Sequence, residues 1–276
     1  MKPAEPVIRL SSPATRESWV VPVVYEDDQL LAVDKPARLL SSPDRYDPRR
    51  PNLMRMLHDG VAQQRPWAAT RGIQYLANAH RLDFETTGVL LLAKTRPALV
   101  ALANHFGSEI PRKTYVALAC GYPPEDEFTV DAPLSADRFR PGVMRVSRGG
   151  KRSRTDFRVR ERFTSWALLE ASPRTGRTHQ IRVHLQHAGF PILSDPVYGG
   201  TELLLSSLKP RYHRSADKAE RPLLTSLGLH AWKLELPHPI TGETVHIEAP
   251  WPREFEVALK YLRRFAPRPS GFSPAT

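Results

Sequence analysis

The stretch His80-Arg81-Leu82-Asp83-Phe84-Glu85-Thr86-Thr87-Gly88-Val89-Leu90-Leu91-Leu92-Ala93-Lys94 changes character at its middle. Its first half is a polar loop, and its second half is an unbroken apolar run from Val89 to Ala93. Five apolar residues are far too few to cross a bilayer, which takes about 20, but they suit a central strand buried on both faces. Outward from this strand, Leu99, Leu102, Ala103 and Phe106 recur at helical spacing, with Gly107 as the stop. Thr114 to Ala119 then reads as a further strand. Upstream, Val23–Tyr25 and Leu30–Val33 flank a polar turn and read as a hairpin that ends at Lys35-Pro36. Residues 41–51 read as a loop, and Leu53, Met56 and Leu57 open a short helix. Downstream, apolar residues at Thr155–Phe163 alternate with Arg158, Arg160 and Arg162, so one face of a half-buried strand carries three arginines. Trp166–Ala171 is its partner, and from Thr178 a helix places Ile181, Leu185 and Ala188 on one face, with Gly189 after it. Helix and strand patterns mix without strict βαβ alternation. The expected class is α+β, with a mixed, largely antiparallel central sheet flanked by helices.

The 276 residues carry 40 Lys and Arg against 29 Asp and Glu, a net charge of +11. Apolar residues make up 41%, which excludes wholesale disorder and fibrous repeats. Cys120 is the single cysteine, so neither a disulfide framework nor a thiolate zinc cluster can form. No apolar leader opens the chain, and the cytoplasm is the expected compartment. The basic excess is concentrated: Arg138–Arg182 holds thirteen Lys and Arg against three Asp and Glu. Arg, with its planar fork, suits phosphate and stacks on bases, so the partner expected from charge is nucleic acid. A loose arm is expected over residues 1–20, one catalytic-sized domain over 21–264, and a loose tail over 265–276. Residues 201–222 read as a polar insertion that could touch RNA.

Three segments carry candidate chemistry. In the first, Asp83 sits on a loop that empties into a buried strand, where a carboxylate can act as a nucleophile. An Asp before Thr-Thr-Gly is more often a turn former. In the second, Tyr115 opens a strand behind Arg112 and Lys113, as a base-stacking platform or as a core-edge tyrosine with a wet hydroxyl. In the third, Gly176 permits a turn, Arg177 and Thr178 suit a phosphate at a helix start, and Arg182 lies one turn in. His179, His184 and His187 lack the carboxylate or cysteine that would complete a metal site.

Taken together, HRLDFETTGVLLLAK, RKTYVAL and SPRTGRTHQIRVHLQHAGFPILSDPVYGG, followed by LHAWKLELPHP at Leu229–Pro239, resemble the pseudouridine synthases of the RluA type. The resemblance runs from about Val23 to Trp251. It implies that Asp83 is the nucleophile, that Tyr115 stacks on the target base, and that Arg182 pairs with the catalytic aspartate. It implies substrate-binding roles for Arg81, Thr86, Arg177, Thr178, His179 and Gln180, and puts Leu229 in the apolar wall of the pocket. Thr87 stands where the family usually has Ser, and keeps the hydroxyl. Many relatives carry an RNA-binding domain ahead of the catalytic one, which twenty-odd loose residues cannot form, so RNA grip falls to the catalytic domain. The implied reaction isomerises uridine to pseudouridine in a structured rRNA or tRNA, with no cofactor and no metal, by a monomer with no membrane partner. Two other classes share parts of the pattern. A catalytically silent RNA-binding or ribosome-assembly factor explains the charge but not an Asp among arginines. A glycoside hydrolase commonly needs a second, spaced carboxylate, and Glu85 is the only near candidate.

Overall fold

A computed structural model describes residues 7–44, 47–210, 212 and 219–268. The chain divides into two compact units, the first comprising Met1–Lys113 with Ala231–Pro250, the second Thr114–His230 with Trp251–Thr276. Helices and antiparallel strand pairs occur in both, as the α+β reading requires.

In the first unit, β1 (Val7–Ser11) pairs antiparallel with β2 (Ser18–Glu26), and β2 with β3 (Leu30–Lys35). Residues 7–20 were expected to be loose, and this is corrected. Ile8, Leu10 and Val21 are buried, and a five-residue alternation suffices to add an edge strand although Pro, Ser and charge surround it. Two helices follow, α1 (Leu53–Ala62) and α2 (Pro66–Ala69). The Asn52 side chain caps α1 by accepting from the Arg55 backbone N–H at 2.9 Å. The short β4 (Ala77–Asn78) and the long β3 both pair with β5 (Thr87–Ala93), every residue of which is buried. Its apolar run thus fills the central position the sequence indicates. The next helix, α3 (Arg96–Gly107), starts with Thr95 as cap and Pro97 in its first turn. It runs through Gly107 rather than stopping before it, and the chain turns away at Glu109, whose φ is +58°.

In the second unit, β6 (Arg112–Cys120), β7 (Glu127–Asp131), a hairpin of β8 (Leu134–Ala136) and β9 (Met144–Val146), β10 (Arg154–Arg162) and β11 (Trp166–Pro173) follow in order. β11 lies antiparallel between β6 and β10, and β10 pairs with β7. Helix α4 (Gln180–His187) packs on this sheet, and Ile181 and Leu185 enter its core with Ala117, Ala119, Leu169 and Leu229. α5 (Leu205–Leu208) lies in the expected insertion, of which residues 211 and 213–218 fall outside the described residues. Two strands, β12 (Leu229–Pro237) and β13 (Thr244–Glu248), carry the chain back through the first unit, where β12 neighbours β5. The last helix, α6 (Arg253–Phe265), buries Phe255, Ala258, Leu259 and Leu262. The tail expected from residue 265 lies, from residue 269 on, outside the described residues. No helix among the described residues is long and apolar enough to cross a membrane.

Two features join the Asp83 loop to this scaffold. Gly88 has φ +110°, and a Cβ there would meet the Ala231 carbonyl oxygen at 2.2 Å. Only glycine fits, because both the backbone angle and the passing strand exclude a side chain. His80 stacks on Phe106 of α3 at 4.6 Å, and its Nε2 accepts from the Leu91 N–H of β5 at 2.9 Å. That acceptor role requires the neutral ring, and burial, with Lys113 nearby, pushes the imidazole down to about 3.

Gly88→Ala is therefore expected to lower stability by roughly 3 kcal/mol or more, read as a shifted urea midpoint. Acid should also weaken the fold through His80. Between its ordinary 6.5 and about 3 the unfolded chain takes up a proton that the native ring does not, so stability falls as pH falls. The slope from one such group is up to about 1.4 kcal/mol per pH unit. Urea midpoints at neutral and mildly acidic pH should diverge less in His80→Gln than in the unaltered protein. Equal divergence would remove His80 as the cause.

Candidate active site

The Asp83 loop is pinned on both sides of the carboxylate. Ser41 is buried, and its Oγ donates to the Leu82 carbonyl at 2.8 Å and accepts from the Leu82 N–H at 3.0 Å. On the other side, the Phe84 carbonyl accepts from the Lys35 Nζ and from the Leu39 N–H, both at 3.3 Å. Thr86 N–H closes the turn onto the Asp83 carbonyl at 3.2 Å. Asp83 itself is half-buried. Arg50 lies over the Phe84 ring at 4.9 Å and is held by Asp44 at 2.7 Å, so this ion pair braces the Phe84 side chain.

Lys35 is the unexpected element. Its side chain is fully buried at the end of β3, and Nζ donates to the carbonyls of Pro36 at 2.8 Å, Leu39 at 2.7 Å and Phe84 at 3.3 Å. Three acceptors match the three N–H donors of an ammonium. Burial pushes this group down to about 7, while the carboxylates of Asp83, Glu85 and Asp34 act in the opposite sense. Asp34, next to it, is pushed up to about 6 by burial. A buried amino group tied to three carbonyls thus lies under the loop that carries Asp83.

The other sequence candidates of this unit differ in setting. Arg81 is exposed, and Thr86 is buried with a hydroxyl that has no hydrogen-bond partner among the described residues.

In the second unit, Arg182 is 6% exposed and grips Asp195, which is wholly buried. Nε meets Oδ2 at 2.8 Å and Nη2 meets Oδ1 at 2.8 Å, a bidentate pair that leaves the Nη1 edge to other contacts. Asp195 Oδ1 also accepts from the N–H groups of Val197 and Tyr198. The Arg182 guanidinium lies 4.9 Å over the Tyr198 ring, and the Tyr198 hydroxyl bonds His179 Nδ1 at 2.8 Å and the Met144 N–H at 2.9 Å. His179 and Ser194 both take left-handed φ, +54° and +58°, which is uncommon without glycine. His179's conformation also delays α4 to Gln180, two residues later than the sequence spacing indicates. Asp195 and Tyr198 went unassigned in the sequence although PILSDPVYGG holds both; a buried arginine's need for a counter-ion was the available signal.

Gln180 is buried, and its amide is engaged by the fold around it. Oε1 accepts from Thr175 Oγ1 at 2.6 Å and from the Arg177 N–H at 3.0 Å, and Nε2 donates to the Arg154 carbonyl at 2.9 Å and to Thr155 Oγ1 at 3.0 Å. His184 continues the row, with Nδ1 on Thr155 Oγ1 at 2.9 Å and Nε2 on the Ala132 carbonyl at 3.0 Å. Because a carbonyl only accepts, Nε2 carries the proton and Nδ1 accepts from the threonine hydroxyl. Burial holds the ring below its ordinary range, and hence neutral. Arg177 and Thr178 are exposed ahead of this clamp, and Arg177 Nε donates to the Arg152 carbonyl at 3.1 Å. Tyr115 is half-buried and packs with Leu229 in the cluster that receives Ile181.

The charge of residues 138–182 is not uniform once folded. Arg158 meets Glu127 at 2.8 Å, Arg160 meets Glu170 at 3.0 Å, Arg162 meets Asp126 at 2.6 Å and Arg174 meets Asp156 at 2.6 Å. The arginines of β10 are therefore largely neutralised by neighbouring acids, and a bulge between Val159 and Glu161 sets Arg158 and Arg162 on opposite faces instead of the single face expected.

A family model described as RNA pseudouridylate synthase matches residues 29–187, a span that holds Asp83, Tyr115 and Arg182. The chain is 38% identical over 247 residues to the ribosomal large subunit pseudouridine synthase D of Nitrosomonas europaea, covering 90% of this chain and 67% of that one. It is 37% identical over 243 residues to the ribosomal large subunit pseudouridine synthase C of Salmonella typhi, covering 87% and 70%. Among solved structures it is similar to human RNA pseudouridylate synthase domain containing 4, with a TM-score of 0.65 at 26% identity, over 87% of this chain and 92% of that chain. With a family match over more than half its length and relatives of this closeness, the chain belongs to the RluA-type RNA pseudouridylate synthases, isomerases that convert uridine to pseudouridine in RNA.

Proposed function

We propose that Asp83 is the nucleophile of this isomerisation and that ribosomal RNA of the large subunit carries the target uridine. The observation that carries the first part is the pinned loop: Ser41 fixes Leu82 and Lys35 fixes Phe84, so the one residue between them, a half-buried aspartate, has its backbone held from both sides. The names of the relatives at 38% and 37% identity support the second part; transfer RNA is the alternative substrate.

The chemistry moves one base on one sugar. The N1–C1′ bond breaks, the uracil turns within the site, a C5–C1′ bond forms, C5 gives up its proton and N1 gains one. Atoms balance without an oxidant or an energy source. Attack at the sugar carbon and removal of a sugar proton both require Asp83 to be ionised. Arg182 is the partner of Asp83 in this proposal, as the family resemblance implies, with Asp195 holding its fork in plane and Tyr198 supporting its face. Tyr115 stacks on the detached uracil and retains it, with Leu229 as apolar wall. The target must first leave its stack, which costs a few kcal/mol. Phosphate contacts by arginine offset that cost and make binding weaken with salt.

The test is tritium release from large-subunit ribosomal RNA labelled at C5 of uridine, since only isomerisation expels that label. Asp83→Asn should slow release by on the order of 10³-fold or more with RNA affinity nearly unchanged. A variant that still turns over removes Asp83 as nucleophile. Bound RNA with no release by the unaltered protein would mark a silent RNA-binding factor, and free uracil as product a hydrolase. Arg182→Lys should also be slow, because a point charge does not reproduce a planar fork. Asp195→Ala should lower stability by about 3 kcal/mol or more, as it leaves a buried guanidinium without its carboxylate. An unchanged urea midpoint in that variant would show the pair to be dispensable.

A further inference from the structure

Phe139 is 93% exposed, far above the next bare apolar residue, Val100 at 62%. A lone exposed apolar side chain is ordinary. What surrounds this one is not. It stands at the tip of the β8–β9 hairpin, between Arg138 and Arg140. The tip backbone is set: Asp137 Oδ1 accepts from the Phe139 N–H at 2.9 Å and from the Arg140 N–H at 3.1 Å, and Asp137 N–H closes the loop onto the Val143 carbonyl at 2.8 Å. The foot is set too. Met144 N–H donates to the Tyr198 hydroxyl, whose ring lies under Arg182, and Val143, Met144 and Val146 pack on Leu134, Val183 and Tyr198. Phe139 stands five positions before Met144 along the hairpin loop, a reach of about 18 Å at most.

The charge around this ring also differs from that on β10. From residue 132 to 155 the chain has seven Lys and Arg, and Asp137 is the only acid. Arg138, Arg140, Arg145, Arg148, Lys151 and Arg152 are all exposed. Asp137, the tip's own turn former, pairs with Arg140 at 3.5 Å. A bare aromatic face in a positive field is the pairing of features that binds single-stranded nucleic acid: cations hold the backbone while the ring stacks on a base. A polyanion fits better than a protein surface, because six exposed cations with a single acid among them call for repeated negative charge.

We propose that Phe139 stacks on an unpaired base near the modified nucleotide, so that the β8–β9 hairpin selects looped over fully paired RNA. The proposal rests on reading the chain as an enzyme that acts within RNA, and it adds a specificity residue outside the site described above. A duplex presents no open base face, and the hairpin then offers only its charge.

The probes are a fluorescein-labelled RNA stem-loop with uridines in the loop and the same stem as a closed duplex. Phe139→Ala and Phe139→Leu should bind the stem-loop about 10-fold more weakly than the unaltered protein and bind the duplex equally well. Phe139→Trp should stay within about twofold on both, because tryptophan restores a stacking face. Placing 2-aminopurine in the loop adds a spectroscopic reading: its quenching on binding should be lost in the alanine variant and kept in the tryptophan one. Thermal midpoints should not move, since the ring touches solvent. Equal stem-loop binding by the alanine variant, an equal loss on the duplex, or a leucine variant that matches tryptophan overturns the proposal. Tritium release separates the two readings. A protein that never releases label but shows the Phe139 binding pattern fails as an isomerase and keeps its base-stacking tip. One that releases label with Phe139→Ala unaltered in binding fails only here.

Discussion

A guanidinium that is 6% exposed has to be answered by a carboxylate, and Arg182 is answered by an Asp195 that water does not reach. Around that pair the second unit takes its local shape. Asp195 orders the turn through Val197 and Tyr198, Tyr198 supports the guanidinium face, and its hydroxyl reaches His179 in one direction and the β8–β9 hairpin in the other. Two left-handed residues, His179 and Ser194, are the backbone strain this arrangement sustains. Buried ion pairs are weak evidence for stability but costly to break singly. Here the pair aims one fork, whose position then follows from helix α4 and not from side-chain flexibility.

The first unit solves a related problem with a lysine. Lys35 is drawn into the fold by three carbonyls, one of which belongs to Phe84, so an amino group normally left in water becomes part of the floor under Asp83. The loop above needs little regular structure because Ser41 and Lys35 hold it from both sides, and Gly88 lets it enter β5 against β12 without a side chain in the way.

Much of this could be read from residues alone. The apolar run Val89–Ala93 is the central strand, and the Asp83 loop does empty into it. The helix after Thr95 and the β10–β11 pair lie where their periods put them. What escaped has physical reasons. β1 is a five-residue alternation inside a segment whose Pro, Ser and charge read as loose. α6 carries a legible pattern, with Phe255, Ala258, Leu259 and Leu262 at helical spacing. Lys35 read as the end of a strand, because lysines are almost never fully buried and no local pattern announces one that is. The Arg182–Asp195 pair spans 13 residues and a turn, which periodicity does not see. The clustered charge was legible as a count, but its cancellation on β10 needs partners from β7 and β11.

The row from Gln180 through Thr155 and His184 to Ala132 runs one way only. Each member's donor is fixed by the acceptor beyond it, starting from a carbonyl that has no alternative. Turning the Gln180 amide over would face nitrogen toward the Arg177 N–H and oxygen toward the Arg154 carbonyl, mismatching both ends together. The segment leading into α4 accordingly has one self-consistent set of hydrogen bonds. It behaves as a latch with a single closed position, and Arg182, two residues past Gln180, inherits that definiteness.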